Sequence, residues 1–162
     1  MCDDAKLQLL LDRMEISDAV IRYATSIDMR DWAALRSCFA DEVEVEVPAM
    51  RGRSEVMSAD KWVERVRRGL SGLTSTQHMV SNHVITIYSD DATCLSYVRA
   101  IHYLPNDQGE NAWTIGGYYV ISLVRTGESW RIRKYKLTVT WTAGNPYVLE
   151  LGRKRLAEAG NG

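Results

Sequence analysis

Four stretches of alternating apolar and polar residues follow one another through the second half of the chain, at roughly 76–88, 93–105, 112–126 and 129–142. Alternation with a period of two sends successive side chains to opposite faces, so each stretch reads as a β-strand. The breaks between them are short: Ser89-Asp90-Asp91, Asn106-Asp107-Gln108-Gly109 and Thr126-Gly127-Glu128-Ser129. A parallel neighbour would need a crossover of a dozen or more residues, so these turns predict an antiparallel meander. Gly116-Gly117 inside the third stretch predicts a bulge or sharp bend, which would curl the sheet and give it a concave face.

The first half reads differently. Residues 5–28 carry Leu7, Leu10, Met14, Ile21, Ala24 and Ile27 at helical spacing, with Asp3 or Asp4 placed to cap the start. A second helix is expected from Trp32 to Phe39, capped by Asp31. Val43, Val45 and Val47 then alternate with Glu42, Glu44 and Glu46 until Pro48, which describes a short strand with one wet face. Ser58 can cap a third helix running to about Leu70, with Trp62, Val63, Val66 and Leu70 inward, Arg65, Arg67 and Arg68 outward, and Gly69 or Gly72 closing it. Beyond Pro146, the tail 146–162 with Leu149, Leu151 and Leu156 forms either a last helix or an arm, closing the cavity or packing on a neighbour. Helices followed by antiparallel strands argue for an α+β domain, with about three helices against one face of a bent sheet. A chain of 162 residues suits one domain without a linker.

The 20 Lys and Arg nearly balance the 21 Asp and Glu, so no global field favours nucleic acid or an anionic membrane. Cys2, Cys38 and Cys94 are odd in number and lack any CxxC spacing, which argues against a zinc site or a disulfide framework and for a reducing, cytoplasmic setting. The Met1-Cys2-Asp3-Asp4 start is acidic where a signal peptide would be basic, and no apolar run reaches the length of a membrane span. No metal is expected, because three scattered histidines have no carboxylate at ligand spacing. Eight Tyr and five Trp against one Phe suit either a cavity lined by hydroxyl and indole donors or rings at sheet edges.

Among polar residues, His78 in Gln77-His78-Met79-Val80-Ser81-Asn82-His83 is the main candidate for chemistry. An unperturbed imidazole titrates at about 6.5, near enough to neutrality to exchange protons with a substrate. Alternation puts His78, Val80 and Asn82 on one face and Met79, Ser81 and His83 on the other, so only one of the two histidines is expected at a pocket. His102 occupies the next strand, and periodicity does not decide which face looks inward. Tyr23 and Asp28 stand about 140° apart on an ideal helix, so they can serve one site only if the helix ends near Ile27. Each has a plain alternative, Asp28 as a cap or a partner of Arg30, Tyr23 as a core ring.

Tyr23, Asp28, Asp31-Trp32 with Leu35 and Phe39-Ala40-Asp41, then His78 and Asn82, then Gly127-Glu128-Ser129-Trp130-Arg131-Ile132 resemble the SnoaL-like branch of the nuclear-transport-factor-2-like superfamily over nearly the whole chain. The resemblance implies a cone-shaped α+β barrel of a strongly curved, mainly antiparallel sheet around a deep pocket. Within the superfamily the chain looks most like scytalone dehydratase, bile-acid 7α-dehydratase and hexachlorocyclohexane dehydrochlorinase. It departs from scytalone dehydratase in lacking a tyrosine near Val45 to Pro48 and an asparagine near Tyr119. The resemblance implies a His78–Asp28 dyad, with Tyr23 and His102 as proton or hydrogen-bond donors and Tyr119, Asn82, Trp62 and Trp141 as substrate contacts. It further implies a small cyclic, polyketide-, steroid- or aromatic-like substrate, no cofactor, and a homodimer or homotrimer. The activity implied is loss of water, with an isomerase or cyclase, or a noncatalytic binding or dioxygenase beta-subunit-like role, as the alternatives.

Overall fold

In a computed structural model describing residues 2–160, the meander occupies one side of the molecule and the helices the other. The order is α1 (Cys2–Asp28), α2 (Trp32–Ser37), β1 (Phe39–Glu46), a 3-10 turn (Pro48–Met50), β2 (Glu55–Ser58), α3 (Ala59–Leu70), β3 (Ser75–Tyr88), β4 (Asp91–Tyr103), β5 (Ala112–Thr126), β6 (Ser129–Gly144) and α4 (Val148–Ala159). One sheet holds all six strands in the order β2-β1-β6-β5-β4-β3. β3 to β6 form the expected antiparallel meander, whereas β1 lies parallel to β6 and carries β2 as an antiparallel edge. The cone is therefore open, with β2 and β3 as its edges. This is the α+β architecture expected, with four α-helices among the described residues rather than three. Among those residues no helix is long and apolar enough to cross a membrane.

Ile16, Val20, Tyr23, Ala24 and Ile27 recur on one face of α1, and each is at most 3% exposed. Leu7, Leu10, Met14 and Ile21, which the sequence shows at the same helical spacing, are exposed, and so is every residue from Asp3 to Leu11. Asp3 and Asp4 lie inside the first turn rather than capping it. The helix is pinned at Asp12, whose carboxylate accepts a bidentate pair from Arg125 at 2.7 and 2.8 Å and a third bond from Trp130 Nε1 at 3.1 Å.

Asp31 caps α2 by accepting from the Ala34 N–H at 2.9 Å, and Ser58 caps α3 through the Lys61 N–H at 3.3 Å. Phe39 leaves the helix to start β1. Val148 packs with Leu73 and Leu104 beside Trp113, so the tail is a helix docked on its own chain; residues 161–162 lie outside the described ones. At that contact Gly72 and Gly152 touch backbone to backbone, and a Cβ on Gly72 would overlap the Gly152 carbonyl.

Irregularities in the strands decide which side chains look inward. β3 shifts register between Ser81 and Val84, where Asn82 sits at φ 56°. β6 shifts twice against β5, across Arg133 and again across Thr140. Each extra residue reverses the alternation beyond it.

Candidate active site

The site begins where α1 stops. Arg30 takes a left-handed φ of 58°, and the Asp31 N–H turns back to the Ser26 carbonyl at 2.9 Å, so Asp28 is the last helical residue. Its carboxylate faces β3. Oδ1 accepts from the Thr76 hydroxyl at 2.8 Å and from His78 Nδ1 at 2.7 Å, while Oδ2 accepts from the His78 backbone N–H at 2.7 Å. The dyad is nearly covered, with side-chain exposures of 7% for His78 and 21% for Asp28. Burial works to raise the Asp28 carboxyl, but the hydrogen bonds from His78 and Thr76 outweigh it and hold the group below the usual carboxylate range. A carboxylate only accepts, so Nδ1 carries hydrogen and Nε2 of the neutral ring carries the lone pair.

His102 shares the concave face. It pairs in register with Thr76 and Trp113, and its ring lies edge-on to His78 with centroids 5.9 Å apart. Burial, reinforced by His78, pushes its pKa down to about 4. Nδ1 lies 3.3 Å from the Trp113 carbonyl, which can only accept, so Nδ1 carries hydrogen and Nε2 of the neutral ring is an acceptor. That state does not suit the proton-donating role expected of it.

Tyr23 does not reach the dyad directly. Its ring packs with Tyr119 and Tyr135 at centroid distances of 5.8 and 5.0 Å, and hydroxyl hydrogen bonds join Tyr135 to both. Burial holds all three phenols well above their usual range, and Tyr119 also feels the negative charge of Asp28. Trp62 closes this cluster from α3, 5.8 Å from Tyr135, with its Nε1 buried and lacking an acceptor. The interior of the cone is thus occupied by aromatic side chains around the dyad. Two open hollows lie elsewhere, one of about 510 Å³ along α3 and one of about 580 Å³ on the convex face.

Two expected substrate contacts lie outside this interior. Asn82 is exposed at the β3 bulge, and Trp141 is 47% exposed on the convex face, where the Arg99 guanidinium lies 6.0 Å from its ring. The Thr140 irregularity turns Trp141 outward. The β3 bulge also overturns the expected separation of the histidines: His83 faces inward with His78, its Nδ1 2.8 Å from Ser17 Oγ. Sequence reasoning missed Thr76 and Tyr135 and named Arg30 only as a possible partner of Asp28. Only Tyr135 carried a signal, since Tyr135, Leu137 and Val139 alternate with Lys134, Lys136 and Thr138. The buried thiols of Cys38 and Cys94 are pushed up to about 11 by burial and remain protonated.

The fold recurs in solved structures. The Kfla4162 protein from Kribbella flavida is 28% identical, with 88% of this chain and 99% of that one aligned at a TM-score of 0.81. A protein of Novosphingobium aromaticivorans provisionally named a scytalone dehydratase is 22% identical over 88% and 91%, with a TM-score of 0.74. A hexachlorocyclohexane dehydrochlorinase, LinA type 3, from Novosphingobium barchaimii is 17% identical over 87% and 94%, with a TM-score of 0.71. No curated protein sequence matches the chain. The family model described as a SnoaL-like domain matches residues 8–136, most of α1 through the first half of β6, and the chain belongs to that family.

Proposed function

We propose that the protein is a dehydratase that needs no cofactor, acting on a small cyclic substrate, with His78 as its general base. The observation that carries this reading is the 2.7 Å contact between Asp28 and His78 Nδ1, which leaves Nε2 as a free base beside an aromatic interior. Nε2 removes a proton from the carbon next to a carbonyl, and the C–H electron pair forms the new double bond as the C–O bond to the β-hydroxyl breaks. The imidazolium, stabilised by Asp28, returns that proton to the departing hydroxyl, which leaves as water. A phenol of the Tyr23, Tyr119 and Tyr135 cluster donates a hydrogen bond to the carbonyl oxygen as charge develops. The names of the dehydratase and dehydrochlorinase neighbours agree with elimination chemistry.

The same dyad allows a second reading, an isomerase in which His78 returns the abstracted proton to another carbon of the substrate. A panel of β-hydroxy ketones and cyclic alcohols, followed by mass spectrometry, separates the two. Loss of one water supports the dehydratase, and conserved mass with a moved double bond supports the isomerase. Turnover that survives His78→Ala would remove the base from either mechanism.

A further inference from the structure

We propose that Arg30 is a docking point for a carboxylate group of the substrate, which makes that substrate a cyclic hydroxy or keto acid. The word substrate rests on the elimination chemistry above; the binding of the anion does not.

Arg30 follows the dyad aspartate by two residues and holds the left-handed φ of 58°, a conformation that glycine adopts with less strain. Its guanidinium folds back into the protein. Nη1 donates to the Ile27 carbonyl at 3.1 Å and to Thr76 Oγ1 at 3.2 Å, while Nη2 is buried with no acceptor. Thr76 in turn donates to Asp28 at 2.8 Å, so the cation belongs to the dyad's own hydrogen-bond network. Its charge is also felt at His102, the cross-strand partner of Thr76. Burial pulls the Arg30 pKa down and Asp28 opposes this, as expected of a partly buried guanidinium beside a carboxylate.

A buried N–H without an acceptor is unusual, and a guanidinium edge is the group best suited to take a carboxylate. Anchoring Nη1 fixes the plane of the fork and leaves Nη2 to meet an incoming oxygen, once the side chains covering it part. Charge fits as well. Asp28 and Arg30 cancel while His78 is neutral. A bound carboxylate brings one negative charge, which favours the imidazolium that His78 becomes when it takes a proton. One guanidinium beside an aspartate balances a monocarboxylate better than a phosphate dianion.

The test uses two probes of nearly the same shape, 2-naphthoate and 2-naphthamide, with dissociation constants read from tryptophan fluorescence. Wild type is expected to bind the acid about tenfold more tightly than the amide, or better. Arg30→Met removes that preference and Arg30→Lys keeps part of it. Arg30→Gly, which suits the backbone conformation, folds and also loses the preference. His78→Ala and Asp28→Asn keep it, so failure of the dehydratase reading would leave this result standing. Wild type without a preference, including failure to bind either probe, overturns the proposal. So does a preference that survives in both Arg30→Met and Arg30→Gly.

Discussion

Replacing Asp28 by asparagine changes one atom and tests the dyad directly. The amide has one accepting oxygen where the carboxylate had two, and the structure fixes the consequence. If the amide nitrogen stands where Oδ2 was, it faces the His78 backbone N–H, donor against donor across 2.7 Å, at a cost of roughly 1–3 kcal/mol. If it stands where Oδ1 was, the Thr76 hydroxyl can rotate to accept, and the ring moves its hydrogen from Nδ1 to Nε2 to do the same. The second arrangement is the cheaper, and it protonates the base. Asp28→Asn is therefore expected to lose only about 1–2 kcal/mol of stability, as for one weakened buried hydrogen bond. Its kcat should nevertheless fall roughly a thousand- to ten-thousandfold, the scale of a reversed histidine tautomer in the Ser-His-Asp triad. Turnover on an active member of the hydroxy-ketone panel gives the rate, and long-range proton–nitrogen correlation spectra of the His78 ring give the tautomer without any substrate. Near-normal turnover, or a ring that keeps its hydrogen on Nδ1, would refute the reasoning.

Further outcomes concern stability. His102 is neutral in the folded state down to about 4, against 6.5 unfolded, so the unfolded chain binds the extra proton first as the solution acidifies. Its contribution is intact above 6.5 and lost as pH falls toward 4, roughly 3 kcal/mol in all, and His102→Gln should flatten that part of a urea-denaturation profile. Asp12, lowered from 3.8 to about 2 by the Arg125 hydrogen bonds, stabilises in full above its unfolded value. That contribution disappears as pH falls through 2, so Asp12→Asn should cost roughly 2 kcal/mol near neutrality and little in strong acid. Gly69→Ala, where the added methyl meets nothing, should stabilise α3 by up to about 1 kcal/mol. Gly72→Ala collides with backbone that cannot swing aside, and faster amide exchange in α4 should report the loosened contact.

The meander was legible because its cause is local: a two-residue period and short turns specify antiparallel neighbours without reference to anything distant. The parallel seam between β1 and β6 was not, because it joins residues about ninety positions apart, such as Val45 and Tyr135, which no local period or short turn relates. β2 escaped for another reason. Glu55–Ser58 has only Val56 and Met57 to show, and two residues make no period. On α1 the spacing of Leu7, Leu10 and Met14 is truly helical, but spacing says which residues share a stripe, not whether anything lies beneath it.

The site shows the same limit more sharply, because its membership is decided by single residues of irregular backbone. His78 and Asp28 were legible, and both lie on the regular side of the features that matter: Asp28 before the Arg30 turn, His78 before the Asn82 bulge. Every expected contact beyond such a feature was displaced. Asn82 is the bulge itself, and Trp141 follows Thr140. His83 follows Asn82 and swings inward, the reverse of its parity. Two of these breaks use left-handed residues, asparagine at 82 and arginine at 30. Asparagine tolerates that conformation, so position 82 held a readable hint. Arginine does not favour it, and the strain at position 30 has a visible return only in where it puts the guanidinium, on Thr76 and next to the dyad. At position 30, backbone that a different residue would adopt more easily thus points to a side chain that matters for what it holds.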